Sequence, residues 1–407
     1  MARNRKPRSR GRRRFRKFLI AIEIVGMLCS VLGAYVWGKT SQINTVALDE
    51  SKIEVNEEVV AAEKMTGITN IALFGVDSRT GELGSGVNTD TIMIASINND
   101  TGQVNLCSLY RDTYIDVGGG TYRKANAAYS IGGPEGAISM LNKSLDLNLT
   151  NYITVDLTVL ASVIDHLGGL DLEITAEEAY WTDGYIAETS KIAGVPQVNL
   201  PNEDGGWYHM DGIQATSYCR IRYTAGDDFK RTERQRKVLS LIFEKAKTMD
   251  LDTLNAIADD VFPKVQTNMT LADMLKIGAS ILTYNMNQSL GMPMNKTTGT
   301  ISGVGSSVIA TDWVNDVSQL HELLFGEVGY TPSSTVQSMA STMQNPPMGS
   351  DSSYSDDDYS SDDSEDYYYD DSEEDYYDET EYDDSESYSE DYSSEDYEEY
   401  DAGDTGE

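Results

Sequence analysis

Histidine and cysteine are scarce: three of each in 407 residues. His166, His209 and His321 share no spacing, which argues against a zinc site or a histidine-based nucleophilic triad. Cys29, Cys107 and Cys219 form no metal or disulfide framework. Cys29 falls in an apolar run, and the other two read as small buried residues, with a Cys107–Cys219 bridge left open. Basic residues are absent from 351–407, which carries 28 Asp and Glu and 12 of the chain's 25 tyrosines. Leu, Ile, Val and Phe are missing there too, so nothing offsets the entropy of ordering, and the tail is expected to be disordered. Acidic residues are absent from 1–17, which holds ten Lys and Arg. Between the two ends the formal charge is −18, the wrong sign for a nucleic-acid-binding domain.

After the basic arm comes Phe18–Trp37, 20 residues with Glu23 as the single charge. At about 1.5 Å per residue the run spans about 30 Å, one hydrocarbon core. It is longer than a usual signal-peptide core and lacks a clear cleavage site, so residues 18–38 are expected to be an uncleaved anchor. Lys and Arg before it and few after it place the N-terminus in the cytoplasm and the rest outside. Residues 39–66 read as a polar stalk, 67–330 as the folded domain, and the uncharged 331–350 as a linker.

Within the domain, Asn70–Val76, Asp90–Ile97 and Gln103–Leu109 read as strands, with a hairpin turn at 99–102. They bring Asp77 and Arg79, Asp90, and Arg111 and Asp112 to strand ends, where α/β sheets keep their sites. Arg123–Ser130, Pro134–Leu145 and Leu157–Leu167 read as helices whose apolar stripes are explained by core packing. Strands are expected at 151–155 and 170–174, loops over 180–210, and a helix capped by Asp211 and Gln214.

The stretch Tyr218–Lys237 is unusually basic for an acidic domain. Arg220, Arg222, Arg231, Arg234 and Arg236 crowd around Asp227 and Asp228. Thr232 and Gln235 have capping-box spacing, so a helix is expected to open there. On a helical wheel Arg231, Arg234, Gln235, Val238 and Ile242 share one side, while Arg236 turns outward. Guanidinium groups at a helix N-terminus suit an oxyanion such as pyrophosphate; a solvated face with ion pairs is the alternative. Asp77 and Asp90 together suit Mg²⁺, or Mn²⁺, shared with substrate phosphates.

These residues fall in a pattern. Gly75-x-Asp77-Ser78-Arg79, Thr89-Asp90-Thr91 and Ser108-Leu-Tyr-Arg111-Asp112 are followed by Lys124-x-Asn126-x-Ala128-Tyr129, Gly168-Gly169-Leu-Asp171 and Asp211-Gly212. Tyr218-x-Arg220-x-Arg222 and Asp228-Phe-x-Arg231-x-x-Arg234-Gln235 complete it. The order resembles the LytR-CpsA-Psr family over about residues 67–330. The resemblance implies a three-layer α/β/α domain with a central mixed sheet. It further implies a membrane-anchored, Mg²⁺-dependent phosphotransferase of a Gram-positive-type envelope. Such an enzyme moves an anionic glycopolymer, a teichoic acid or capsule, from undecaprenyl pyrophosphate to peptidoglycan.

By that resemblance Asp77 and Asp90 are metal-associated, and Asp77, Asp90 and Arg111 are catalytic. Arg79, Arg111, Arg220, Arg222, Arg231 and Gln235 bind pyrophosphate, with Asp112, Lys124, Asn126, Asp228 and Arg234 nearby. The helical stripes at 134–145 and 157–167 lie where the family houses its polyprenyl tail. Two departures stand out: Tyr110 replaces the usual Pro before Arg111, and Cys219 a usual Ala. A non-catalytic polyprenyl-pyrophosphate-binding or regulatory wall protein is the competing expectation. The implied partners are the carrier-linked glycopolymer, peptidoglycan and the lipid bilayer.

Overall fold

The computed structural model describes residues 44–62, 67–78, 81–224 and 227–349. The basic arm, the apolar run, Arg79 and the acidic tail lie outside these residues. Among the described residues no helix is long and apolar enough to cross a membrane.

The chain opens with β1 (Asn44–Thr45) and α1 (Glu57–Ala62), then an antiparallel meander of β2 (Ile68–Val76), β3 (Thr89–Asn98) and β4 (Gln103–Leu109). A small hairpin, β5 (Tyr114–Asp116) with β6 (Tyr122–Lys124), leads into α2 (Ala127–Leu145). Next come β7 (Asn151–Asp156), α3 (Leu157–His166), β8 (Leu170–Ile174), α4 (Ala176–Ala193), β9 (Gly206–Met210) and α5 (Gly212–Arg220). The 20-residue α6 (Asp227–Ala246) is followed by α7 (Leu251–Val261), β10 (Gln266–Thr267), α8 (Leu271–Ser280) and β11 (Asn285–Met292). The hairpin β12 (Lys296–Ile301) with β13 (Gly305–Ala310), then α9 (Trp313–Phe325) and α10 (Ser334–Met343), complete the described chain.

Seven strands form one mixed sheet in the order β1-β10-β7-β2-β3-β4-β11. Strands β7 and β2 run parallel, as do β4 and β11, whereas β2, β3 and β4 alternate. Successive side chains of a strand face opposite ways, so each strand feeds two cores. Ala72, Phe74, Ile92, Ile94, Cys107 and Leu109 pack against Ile138 and Leu141 of α2 and Leu320 of α9. Ile71, Ile97 and Val104 face the other way, toward Phe243 of α6 and Met274 and Ile277 of α8. Helices therefore cover both faces of the sheet. A third core lies between the β8–β9 hairpin and α3, α4, α5 and one side of α6. Gly212 makes that packing possible: a Cβ there would stand 2.0 Å from the carbonyl oxygen of Ala161. Cys107 and Cys219 are free thiols in separate cores, so they do not pair.

Four expectations from sequence are corrected. The described part of the stalk is docked: β1 pairs with β10, and Asn56 Nδ2 donates to Asp146 Oδ1 at 2.6 Å. Asp146 is wholly buried and needs donors; the backbone N–H of Ser333 (2.6 Å) and the Tyr330 hydroxyl (3.1 Å) supply two more. The supposed linker contains α10, whose Val336, Met339, Ala340 and Met343 are buried; it lacks charge because it packs. Much of the expected loop region 180–210 is helix α4, opened by a Thr175–Glu178 capping box. Residues 122–124 form β6 instead of helix, and α2 runs from Ala127 across a break at Gly133, where φ is +61°.

Candidate active site

The site forms where β2, β3 and β4 end. Val76 faces Thr89 while Gly75 faces Thr91, so the register skips Asp90. Such a bulge re-aims one side chain out of the ladder. Gly75 allows it: a Cβ on this residue would lie 2.9 Å from that of Thr91. Asp77 follows directly on the neighbouring strand, exposed at the strand end.

Three arginines converge on Asp90. Arg111, just beyond β4, places Nη1 2.5 Å from Asp90 Oδ1. Arg222, from the loop after α5, reaches Oδ2 at 3.3 Å. Arg231, on α6, donates Nη2 to the Asp90 backbone carbonyl at 3.2 Å and pairs with Asp228 Oδ1 at 2.5 Å. Burial pushes the Asp90 carboxyl up, but Arg111, then Arg231 and Arg222, pull it further down, to about 2. Arg111 also contacts Asp112 Oδ2 at 3.3 Å and lies 3.8 Å from Asp228 Oδ1. Lys124 Nζ stands 3.3 Å from Asp112 Oδ1. Asn126 contributes through its backbone, donating N–H to the Arg111 carbonyl at 3.0 Å.

The network holds polar atoms, donors and acceptors both, that have no hydrogen-bond partner among the described residues. Arg231 is almost fully buried, yet its Nε and Nη1 have no acceptor among the described residues. Gln235 Oε1, one turn along the same face, also has no partner there. Asp228 is pushed above the usual carboxylate range by burial, against the pull of Arg231 and Arg111. Its Oδ2 accepts no hydrogen bond within the described chain. Unused guanidinium donors beside ionised groups fit an oxyanion with several acceptors.

Two predicted site residues stand apart from Asp90. Arg220 turns toward α4, donating to Thr189 Oγ1 and Glu188 Oε2, both at 2.9 Å. Arg234 donates Nε to Glu178 Oε1 at 2.9 Å and Nη1 to the Ile221 carbonyl at 3.1 Å. It thereby ties the 221–224 loop to α4 and positions Arg222. Glu178, which sequence reasoning missed, is both helix cap and anchor for Arg234. Its sequence signal was the Thr175-x-x-Glu178 box.

The helix itself departs from expectation in two ways. It begins at Asp227 instead of near Thr232, so Thr232 lies inside it and donates Oγ1 to the Phe229 carbonyl. Arg236, expected outside, is buried, and its Nε and Nη1 lack partners among the described residues. The reason is that α6 is covered on two sides. Val238, Leu241 and Ile242 face the third core, while the side carrying Phe229 and Arg236 meets Tyr110 beyond β4.

Among the described residues no group of three or more His, Cys, Asp or Glu is arranged to hold a metal ion by itself. The oxygen donors of Asp77 and the bulged Asp90 nevertheless fit Mg²⁺, which takes one or two carboxylates and completes its shell with phosphate oxygens and water.

The family profile described as LytR_cpsA_psr matches residues 32–320. The chain belongs to that family. A relative from Oceanobacillus iheyensis, named polyisoprenyl-teichoic acid–peptidoglycan teichoic acid transferase TagU, is 28% identical over 279 residues. That alignment covers 66% of this chain and 80% of the relative. The solved structure of TagT bound to LIIa-WTA superposes with TM-score 0.53 at 20% identity, covering 70% of this chain and all of TagT. Protein gbs0355 of Streptococcus agalactiae gives 0.54 at 22% identity, covering 69% of this chain and 95% of its own. These likenesses establish the mixed α/β fold with its central mixed sheet.

Proposed function

We propose that this protein is a glycopolymer phosphotransferase that moves an anionic glycopolymer from undecaprenyl pyrophosphate onto peptidoglycan. The observation that carries the reading is Arg231: a buried guanidinium bound to Asp90 and Asp228 that keeps two donors for a further acceptor. The names of the relatives supply the chemical class, a polyisoprenyl-linked teichoic acid as donor and peptidoglycan as acceptor.

Arg111, Arg222 and Arg231 would hold the pyrophosphate oxygens, joined by Gln235 and Arg79. Asp77 and Asp90 would hold Mg²⁺ or Mn²⁺, which when bound neutralises charge on the phosphates. A peptidoglycan hydroxyl oxygen attacks the sugar-proximal phosphorus and forms a phosphodiester. The bond from that phosphorus to the bridging oxygen breaks, and undecaprenyl phosphate leaves with the electron pair. The hydroxyl proton passes to a carboxylate. Asp90, held near pKa 2, is a poor acceptor, whereas Asp228 has the raised affinity for a proton that a base needs. Positioning and charge stabilisation supply the rest of the rate.

In this reading the run at 18–38 anchors the protein by a single pass, with the N-terminus cytoplasmic and the domain outside a Gram-positive-type membrane. Native mass spectrometry after mild detergent extraction tests the binding half. A co-purifying polyprenyl pyrophosphate supports it; recovery of apo-protein alone even after adding that lipid contradicts it.

A further inference from the structure

Beside the arginine network lies an aromatic patch to which the reaction described so far gives no task. Tyr180, Trp181 and Tyr185 come from α4. Tyr223 joins them from the loop after α5, its ring centroid 4.7 Å from that of Trp181 and 6.3 Å from that of Tyr185, at interplanar angles of 33° and 23°. Tyr180 meets Trp181 edge-on at 5.2 Å. Tyr180 and Tyr223 are 55% and 60% exposed, too open for core residues. Large aromatics left together on a surface mark a binding site more often than chance.

The patch shares a wall with the phosphate site. Arg222 and Tyr223 are consecutive: the first reaches Asp90, the second covers Trp181. Arg220 lies 5.4 Å above the Tyr185 ring and is fixed by Glu188. A ligand held by Arg222 through its phosphate would therefore extend its next group over these rings.

We infer that Tyr223, Trp181 and Tyr180 form a saccharide subsite for the sugar attached to the carrier pyrophosphate. This inference rests on the proposed transferase reading and names where the sugar goes. A pyranose presents C–H bonds on its face and hydroxyls on its rim. The C–H face packs on the electron-rich face of an aromatic ring, and the rim finds polar groups. Here three of the four rings carry a hydroxyl, and Arg220 and Glu188 border them. A polyprenyl chain, by contrast, needs an enclosed apolar channel; rings open to water on one side would bury only part of it.

The test uses full-length protein in detergent with two probes of equal lipid length, polyprenyl pyrophosphate carrying a disaccharide and the sugar-free lipid. Tyr223→Ala removes the stacking ring from an exposed loop position, and Tyr223→Phe restores the ring without its hydroxyl. For Tyr223→Ala the inference expects about 10-fold weaker binding of the disaccharide lipid, with the sugar-free lipid unaffected, and recovery in Tyr223→Phe. Equal losses for both lipids would assign the patch to the lipid chain and overturn the inference. No loss for either would overturn it as well. Wild-type protein that binds neither probe would instead contradict the pyrophosphate-binding reading beneath it.

Discussion

The Asp90 carboxylate lies 2.5 Å from the Arg111 guanidinium: Asp90 sits at the bulge between β2 and β3, and Arg111 follows just beyond the end of the neighbouring β4. Asp90→Asn keeps the shape but removes the charge shared by Arg111, Arg222 and the proposed cation. Transfer is expected to fall at least 100-fold, with carrier binding weakened but measurable. Unchanged transfer at saturating Mg²⁺ would take Asp90 out of the site.

The same pair sets an acid limit. The folded pKa of Asp90, about 2, lies below its ordinary value of 3.8. A depressed carboxylate stabilises the fold fully above the ordinary value, and that contribution is lost as pH falls through the folded one. Unfolding followed by circular dichroism should therefore show a loss between about pH 4 and pH 2 that Asp90→Asn lacks. Identical acid profiles for both proteins would contradict this linkage.

Arg222 and Arg231 should separate function from stability. Arg222 is partly exposed, so Arg222→Lys should cut transfer about 10-fold and leave the Tm in place. Arg231 is buried and bridges Asp90 to Asp228, so Arg231→Lys should also cost about 1.5–3 kcal/mol of stability. Equal, small effects at both positions in transfer assays and thermal melts would contradict a clamp built from these two guanidinium groups.

Arg236 offers the opposite outcome. Its charge is buried with two unpartnered nitrogens, an arrangement that costs stability. Arg236→Met keeps the apolar stem and should raise stability by about 1 kcal/mol without changing carrier affinity. A Tm several degrees lower would mean that this guanidinium has a partner essential to the fold.

Truncation distinguishes the two C-terminal segments. Removing α10 strips Val336, Met339, Ala340 and Met343 from the core, a loss of roughly 5–10 kcal/mol, comparable with the whole stability of a domain. A chain ending at Tyr330 should not fold, whereas one ending at Gly349 should melt like the full-length protein. Equal melting of both truncations would contradict the packing of α10.

The sequence made the sheet and the arginines around Asp90 legible because strand ends and helix wheels follow fixed periods. The two-sided burial of α6 was hidden: Arg236 lies on a face that a one-sided amphipathic reading assigns to solvent. The early start of that helix at Asp227 was hidden by the capping-box spacing at Thr232 and Gln235, which serves no cap. Helix α10 was obscured because Ser, Thr and Met resemble linker composition until a core is there to receive Met339 and Met343. Likewise, nothing local tells Arg234 from Arg231. Glu178, 56 residues upstream, turns one toward the loop, while Asp90 holds the other in the site.

The central claim is turnover at this cluster. It is tested most directly by incubating purified full-length protein, Mg²⁺, radiolabelled polyprenyl-pyrophosphate-linked glycopolymer and peptidoglycan oligomers, then measuring label joined to peptidoglycan. The account predicts phosphodiester-linked product with stoichiometric release of polyprenyl phosphate from wild type, and at least 100-fold less from Asp90→Asn. Wild-type protein that binds the lipid-linked polymer but releases no polyprenyl phosphate would contradict it, leaving a carrier-binding protein instead of an enzyme.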